Sequence, residues 1–257
     1  MTFFDALILG VLEGLTEFLP ISSTGHLILA SHILNIPDTD FLKTFEIAIQ
    51  LGAIAAVAVA SGTTLIKNTE LAKRVFVAFI PTGIIGFLLY KLIKGYLIGN
   101  EMVVVAALFV GGIFMILCEI FLRRTAKTKS GVEMISYPKA LLIGIFQAIA
   151  IIPGTSRSAM TILGGLALGL SRTAIVEFSF LLAIPTMIAA TGYDIMKNRE
   201  MLSGADGGLL ILGLVAAFVS ASIALRLFLA FVKSHTFIGF GIYRIVIAFF
   251  FWLIFFY

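Results

Sequence analysis

Blocks of about twenty apolar residues recur along this chain, and two further apolar stretches are broken midway by proline and polar residues; no other feature constrains the fold as much. The unbroken segments lie near residues 44–60, 74–93, 101–122, 173–193, 207–230 and 236–257. Each is long enough to cross roughly 30 Å of hydrocarbon as a helix, so six spanning helices are expected. The broken stretches are residues 1–36, interrupted by Pro20 within PISSTGH, and 137–170, interrupted by Pro153 within PGTSRS. Each half is too short to span. A helix, a polar break and a second helix at membrane depth predict a re-entrant hairpin, whose irregular backbone is tolerated where it is buried in protein or lines a wet cavity. Two kinked spanning helices are the alternative.

Composition agrees with one membrane domain over residues 1–257. The chain is 60% hydrophobic and 12% charged, with a mean hydropathy of +1.12, which leaves no room for a soluble domain. The first segment, MTFFDALILGVL, carries Asp5 where a secretory signal has a basic residue and is expected to be retained. Cys118, the single cysteine, excludes an intrachain disulfide or a thiolate metal cluster and is expected to serve packing. Net charge is +4, but its placement in loops says more than its size, and no nucleic-acid partner is indicated.

The broken stretches resemble each other. Setting ALILGVLEGLTEFLPISSTGHLIL beside ALLIGIFQAIAIIPGTSRSAMTIL pairs Pro20 with Pro153, Ser23 with Ser156 and Thr24 with Arg157, with a one-residue shift upstream. Glu46 then falls opposite Glu177, and VAFIPTGIIGFLLYK resembles LAFVKSHTFIGFGIYR, pairing Lys91 with Arg244. The chain reads as two repeats, approximately 1–122 and 137–257. One hairpin and three spans per repeat is an odd number of crossings, so the second repeat enters from the opposite face, which is an inverted-topology repeat. The overall class is thus all-α and polytopic, with six spanning helices plus two re-entrant helical hairpins.

Arg123, Arg124, Lys127, Lys129 and Lys139 crowd the loop between the repeats, and Lys67, Lys73 and Arg74 occupy a loop on the same side. That side is expected to be cytoplasmic, which places both termini outside, the first hairpin entering from outside and the second from inside. The loop with Asp194, Lys197, Arg199, Glu200 and Asp206 mixes signs.

Glu13 and Glu17 are four apart, on one face of a helix and one turn apart. Such a pair in hydrocarbon repels itself, and a divalent cation with hard oxygen ligands would resolve it; a pair facing an aqueous vestibule is the plainer alternative. After Pro20 come Ser22, Ser23, Thr24, Gly25 and His26, where Gly25 is expected to free the backbone and a helix to begin, turning its N–H groups toward the bilayer centre as an anion site. The second break supplies Thr155, Ser156 and Ser158 as donors and Arg157 as a fixed positive charge. Two helix starts and one arginine make a phosphate cradle, although hydroxyls in membrane helices also serve as packing glue. His26, three residues after Ser23, can exchange a proton near neutral pH and activate a hydroxyl or protonate a leaving group. His32 and His235 lack such company. Glu46 and Glu177 are read as structural first, as is Arg244, for which Glu177 or Glu119 would be the partner. Pro185 and the glycines of GGLALG are assigned to kinking and close packing.

EGLTEFLPISSTGHLIL, followed about 130 residues later by PGTSRS, closely resembles the two signature segments of the undecaprenyl-diphosphatase family, the bacitracin-resistance type of bacterial membrane phosphatase. The resemblance covers essentially the whole chain. It implies hydrolysis of undecaprenyl diphosphate to the monophosphate, recycling a cell-wall lipid carrier, with a divalent metal, an outward-facing site and a bacterial plasma membrane. Glu13 and Glu17 match the family's acidic pair, Ser23 and His26 its proposed catalytic serine and histidine, and Arg157 its phosphate-binding arginine. Ala159 stands where the family usually shows glycine. In the expected mechanism Glu13 and Glu17 hold Mg²⁺ or Ca²⁺, Arg157 and the helix starts clamp phosphate, Ser23 or water attacks, and the prenyl tail lies among the apolar helices with the membrane lipids. A secondary transporter or flippase for a lipid phosphate or other anion is the alternative from another class. Chain-length preference and oligomeric state, a homodimer included, stay open.

Overall fold

The computed structural model describes residues 1–92, 100–122, 131–197 and 207–257. Among the described residues it is all helical, with ten α-helices: α1 Phe3–Thr16, α2 Ser23–Ile33, α3 Asp40–Lys67, α4 Thr69–Leu92, α5 Glu101–Leu122, α6 Tyr137–Ala148, α7 Arg157–Ala167, α8 Arg172–Lys197, α9 Gly207–Val232 and α10 Ile238–Phe256. Helices α3, α4, α5, α8, α9 and α10 are long and apolar enough to cross a membrane. They coincide with the six expected spans. Several run past the apolar block because polar caps extend them: Thr39 accepts the Leu42 N–H at the start of α3, and Asn68 accepts the Leu71 N–H at the start of α4. Pro81 and Pro185 sit inside α4 and α8. Arg123, Arg124, Lys127, Lys129, Arg199, Glu200 and Asp206 lie outside the described residues.

The other four helices form two short pairs. α1 has 14 residues, α2 11, α6 12 and α7 11, so none exceeds about 21 Å at 1.5 Å per residue. α1 touches α2, and α6 touches α7. Each pair ends alike: Asn35 (φ 53°) and Gly169 (φ 78°) carry the left-handed residue that stops α2 and α7, while the N–H groups of Ile36 and Leu170 reach back to Ser31 O and Gly165 O.

The pairs dock on long helices through glycine. α1 lies along α9 and α6 along α4; a Cβ on Gly14 would sit 2.1 Å from Ser220 Oγ, and one on Gly144 2.0 Å from Ala78 O. α3 packs against α9 and α8, α4 against α8, and α5 against α10, the last through Gly112 and Gly241, each against the other's carbonyl. α8 is the most enclosed span, and Phe18 of the first turn packs edge-on against its Phe180. Cys118 packs half-buried against this core.

Residues paired by sequence sit in unlike local structure at three places. Ser22 and Ser156, both at φ 72°, immediately precede α2 and α7, whereas Ser23, the residue paired with Ser156 by sequence, is the first residue of α2. Glu46 accepts a bond from Ser31 whereas Glu177 is exposed on α8; their surroundings differ. VAFIPTGIIGFLLYK lies wholly in α4, while LAFVKSHTFIGFGIYR runs from the end of α9 through a turn into α10. Different elements therefore hold Lys91 and Arg244.

Candidate active site

The turns between α1 and α2 and between α6 and α7 meet at a cavity of about 240 Å³. Glu17, Ser22, Ser23, Thr24, Ser156 and Arg157 contribute its polar wall, Gln50 of α3 and Thr186 of α8 add to it, and Ala150, Ile152, Met187 and Ala190 are apolar. Helices α2 and α7 both begin here, at Ser23 and Arg157, so two sets of unpaired helix-start N–H groups flank one space. Ser22 and Ser156 cap them, accepting from Gly25 N–H and Ala159 N–H. Each does so at a positive φ that costs a non-glycine residue about 1–3 kcal/mol, strain of the kind that accumulates at functional sites. Gly25, expected to carry the unusual backbone, lies in the first turn of α2; Ser22 carries it. In the second turn Gly154 (φ 89°) does need to be glycine, since a Cβ there would meet Val104 O at 2.7 Å.

Glu17 joins the two halves of the cavity. Ser23 Oγ donates to its Oε2 at 2.6 Å and Arg157 Nη2 to its Oε1 at 3.0 Å. The side chains of Arg157 and Glu17 are 12% and 9% exposed, so this pair is far less screened than a surface bridge. Arg157 is further held by Ser179 O at 3.1 Å and by the Phe18 ring. Its Nε is buried with no hydrogen-bond partner, while Nη2 also lies against Met187 Sδ at 3.4 Å.

The remaining expected residues stand off the cavity wall. Glu13 is completely buried, and neither of its oxygens meets a donor; its charged neighbours are Glu17, Glu46 and Arg157. An ionised carboxylate so placed costs several kcal/mol without a counter-charge. Glu13 thus offers two unpartnered oxygens of the kind a divalent cation takes, while both oxygens of Glu17 are engaged by Ser23 and Arg157. His26 does not bond Ser23. Its Nδ1–H donates to Ser22 O at 2.7 Å, and since a carbonyl only accepts, Nε2 of the neutral ring accepts from Tyr243 OH, also at 2.7 Å. Thr155 Oγ donates to Ile152 O and Ser158 Oγ to Leu19 O, each adding a second bond to a carbonyl that already accepts a turn N–H. Ala159 still makes the cap with its Cβ fully buried.

Arg244 is completely buried and bonds neither Glu119 nor Glu177; it donates to five backbone carbonyls. Glu119 instead pairs with Arg172 and accepts the Phe237 N–H. Sequence reasoning missed Gln50, Thr186 and Tyr243. Gln50 carried a signal, an amide inside an apolar span; Tyr243 carried none beyond its place beside a buried arginine.

The family model described as bacitracin resistance protein BacA matches residues 6–250. The chain belongs to the BacA family. Curated relatives of this BacA-family chain named undecaprenyl-diphosphatase include one from Aquifex aeolicus, 53% identical over 96% of both chains. A Sulfurihydrogenibium protein is 50% identical and a Persephonella marina protein 51% identical, each over 98% of this chain and 99% of its own length. Six apolar spans together with membership of the BacA family make this a multi-pass bacterial membrane protein.

Proposed function

We propose that the chain hydrolyses undecaprenyl diphosphate to undecaprenyl phosphate and inorganic phosphate in the bacterial plasma membrane, recycling the lipid carrier and conferring bacitracin resistance. The name carried by its relatives supports the substrate. One observation carries the chemistry: a single carboxylate, Glu17, holds a serine hydroxyl and an arginine at once, where two helices begin. The diphosphate enters the cavity with its terminal phosphoryl group between the starts of α2 and α7. Its oxygens take the helix-start N–H groups and compete with Glu17 for the Arg157 guanidinium, and the prenyl tail stays among the apolar helices. Ser23 Oγ attacks the terminal phosphorus while its proton passes to Glu17. The bond from that phosphorus to the bridging oxygen breaks, and undecaprenyl phosphate leaves with that oxygen. Water then attacks the phosphoserine, releasing inorganic phosphate and restoring Ser23. His26, tied to Ser22 O, holds the strained cap that aims α2. Glu13 and Glu17 would hold Mg²⁺ or Ca²⁺, which when bound supplies positive charge against the diphosphate oxygens.

The topology belongs to the same proposal. The two short pairs are re-entrant hairpins of an inverted repeat, supported by matching partnerships: α1 on α9 as α6 on α4, α9 on α3 as α4 on α8, with α3 on α8 and α5 on α10 joining equivalents. Lys67, Lys73, Arg74 and Lys139 mark the cytoplasmic side, supported by Arg74 lying over the Tyr137 ring, which sets the α3–α4 turn beside the start of α6. Both termini and the cavity mouth then face outward.

The test is phosphate release from undecaprenyl diphosphate by purified protein in detergent, with and without chelator. Metal-dependent release, lost in Glu17→Gln and Arg157→Ala, is expected. No release from folded, lipid-supplied wild-type protein overturns the phosphatase and leaves a carrier of lipid phosphate to be tested in proteoliposomes.

A further inference from the structure

Breaking two helices inside an apolar bundle leaves backbone carbonyls with no helical partner and no water. Arg244 of α10 answers three of them. Its Nη1 donates to Pro20 O at 3.3 Å in the first turn and to Thr155 O at 3.0 Å in the second, and its Nη2 donates to Gly154 O at 3.0 Å. The two remaining N–H groups go to α5, from Nη2 to Ala107 O at 3.0 Å and from Nε to Leu108 O at 3.4 Å. All five donors of the guanidinium are thereby used, and the planar fork fixes five acceptors relative to one another. α5 is shaped around this group: a Cβ on Gly111 would fall 2.3 Å from Arg244 Nη2.

The carbonyls it holds lie two residues before Ser22, two before Ser156 and two before Arg157. Among the described residues Arg244 makes no ion pair with a carboxylate, so its positive charge stays beside both helix starts. We propose that Arg244 is a positioning residue for the hydrolysis: it sets the distance between the two turns, and with it the alignment of Ser23 against Arg157. The proposal rests on the phosphatase assignment above. A lysine would keep the charge but offers three donors on a flexible stem and cannot hold five acceptors at once.

The test compares wild type, Arg244→Lys and Gly111→Ala, the last keeping the arginine but crowding its guanidinium. Phosphate release from undecaprenyl diphosphate is measured per monodisperse, folded molecule, separating kcat from KM, and thermal stability is recorded alongside. In both variants kcat is expected to fall about 10²-fold, as small misplacements of reacting groups do, with KM within about threefold. Wild-type protein that releases no phosphate sinks the phosphatase assignment itself, a different failure. With active wild type, kcat within about threefold of it in either variant overturns the positioning role, however far the melting temperature falls, and assigns Arg244 to stability alone. A loss confined to KM overturns it too, and assigns the residue to attracting the substrate.

Discussion

At the scale of single residues, Glu17 is the pivot, because its two oxygens face the Ser23 hydroxyl and the Arg157 guanidinium. In the proposed hydrolysis an arriving phosphate competes with Glu17 for Arg157, and each bond Glu17 gives up there leaves its charge freer to take the Ser23 proton. Replacing Ser23 with alanine removes one hydroxyl while Arg157 still pairs with Glu17. Turnover is expected to fall on the order of 10³-fold or more, with an unchanged thermal melt; a variant that keeps a large share of activity would make water the attacking group. Histidine enters differently. His26 spends Nδ1–H on the strained Ser22 and Nε2 on Tyr243, so Tyr243→Phe should cost less than His26→Ala, which releases the cap. Steady-state kinetics on the two variants ranks them, and the opposite order would give Tyr243 the larger part.

At the scale of elements, short helices are held against long ones by missing side chains. Without a hydrophobic force between helices in lipid, close backbone approach through small residues supplies the packing. Gly144 brings α6 onto Ala78 of α4, and the obstacle to a Cβ there is backbone, which does not move aside cheaply. Gly144→Ala should therefore destabilise by about 1–3 kcal/mol, as overpacking does, and lower the melting temperature in detergent. Gly62 lies within α3 with open space around it, so Gly62→Ala should be neutral or stabilising by about 0.5–1 kcal/mol. Equal melting shifts for the two would refute glycine-mediated docking.

At the scale of the whole molecule, the proposed insertion puts the α2–α3 loop outside and the α3–α4 turn in the cytoplasm. Asp38 and Lys67 are both exposed at these ends. In a chain with Cys118 replaced, Asp38→Cys should react with a membrane-impermeant maleimide on intact cells and Lys67→Cys only after lysis. The reverse labelling would invert the topology and move the cavity mouth to the cytoplasm.

Local pattern alone determined the six spans, because twenty apolar residues in a row have few places to go, and it marked both breaks, because proline and clustered hydroxyls do not continue an apolar helix. It also put Glu17 and Arg157 among the candidates, since charge in such a chain is costly without a use, and Ser23 because it lies in a hydroxyl run where a helix begins. Only the tertiary structure decided who meets whom. Glu17 and Arg157 are 140 residues apart, a separation across which no periodicity carries information. Ser22 and Ser156 share a φ of 72°, one residue away from the proline alignment, because backbone torsion is not legible in where the prolines fall. Arg244 was assigned a carboxylate partner and found five carbonyls, because unsatisfied backbone in two broken helices is invisible until the turns are brought together.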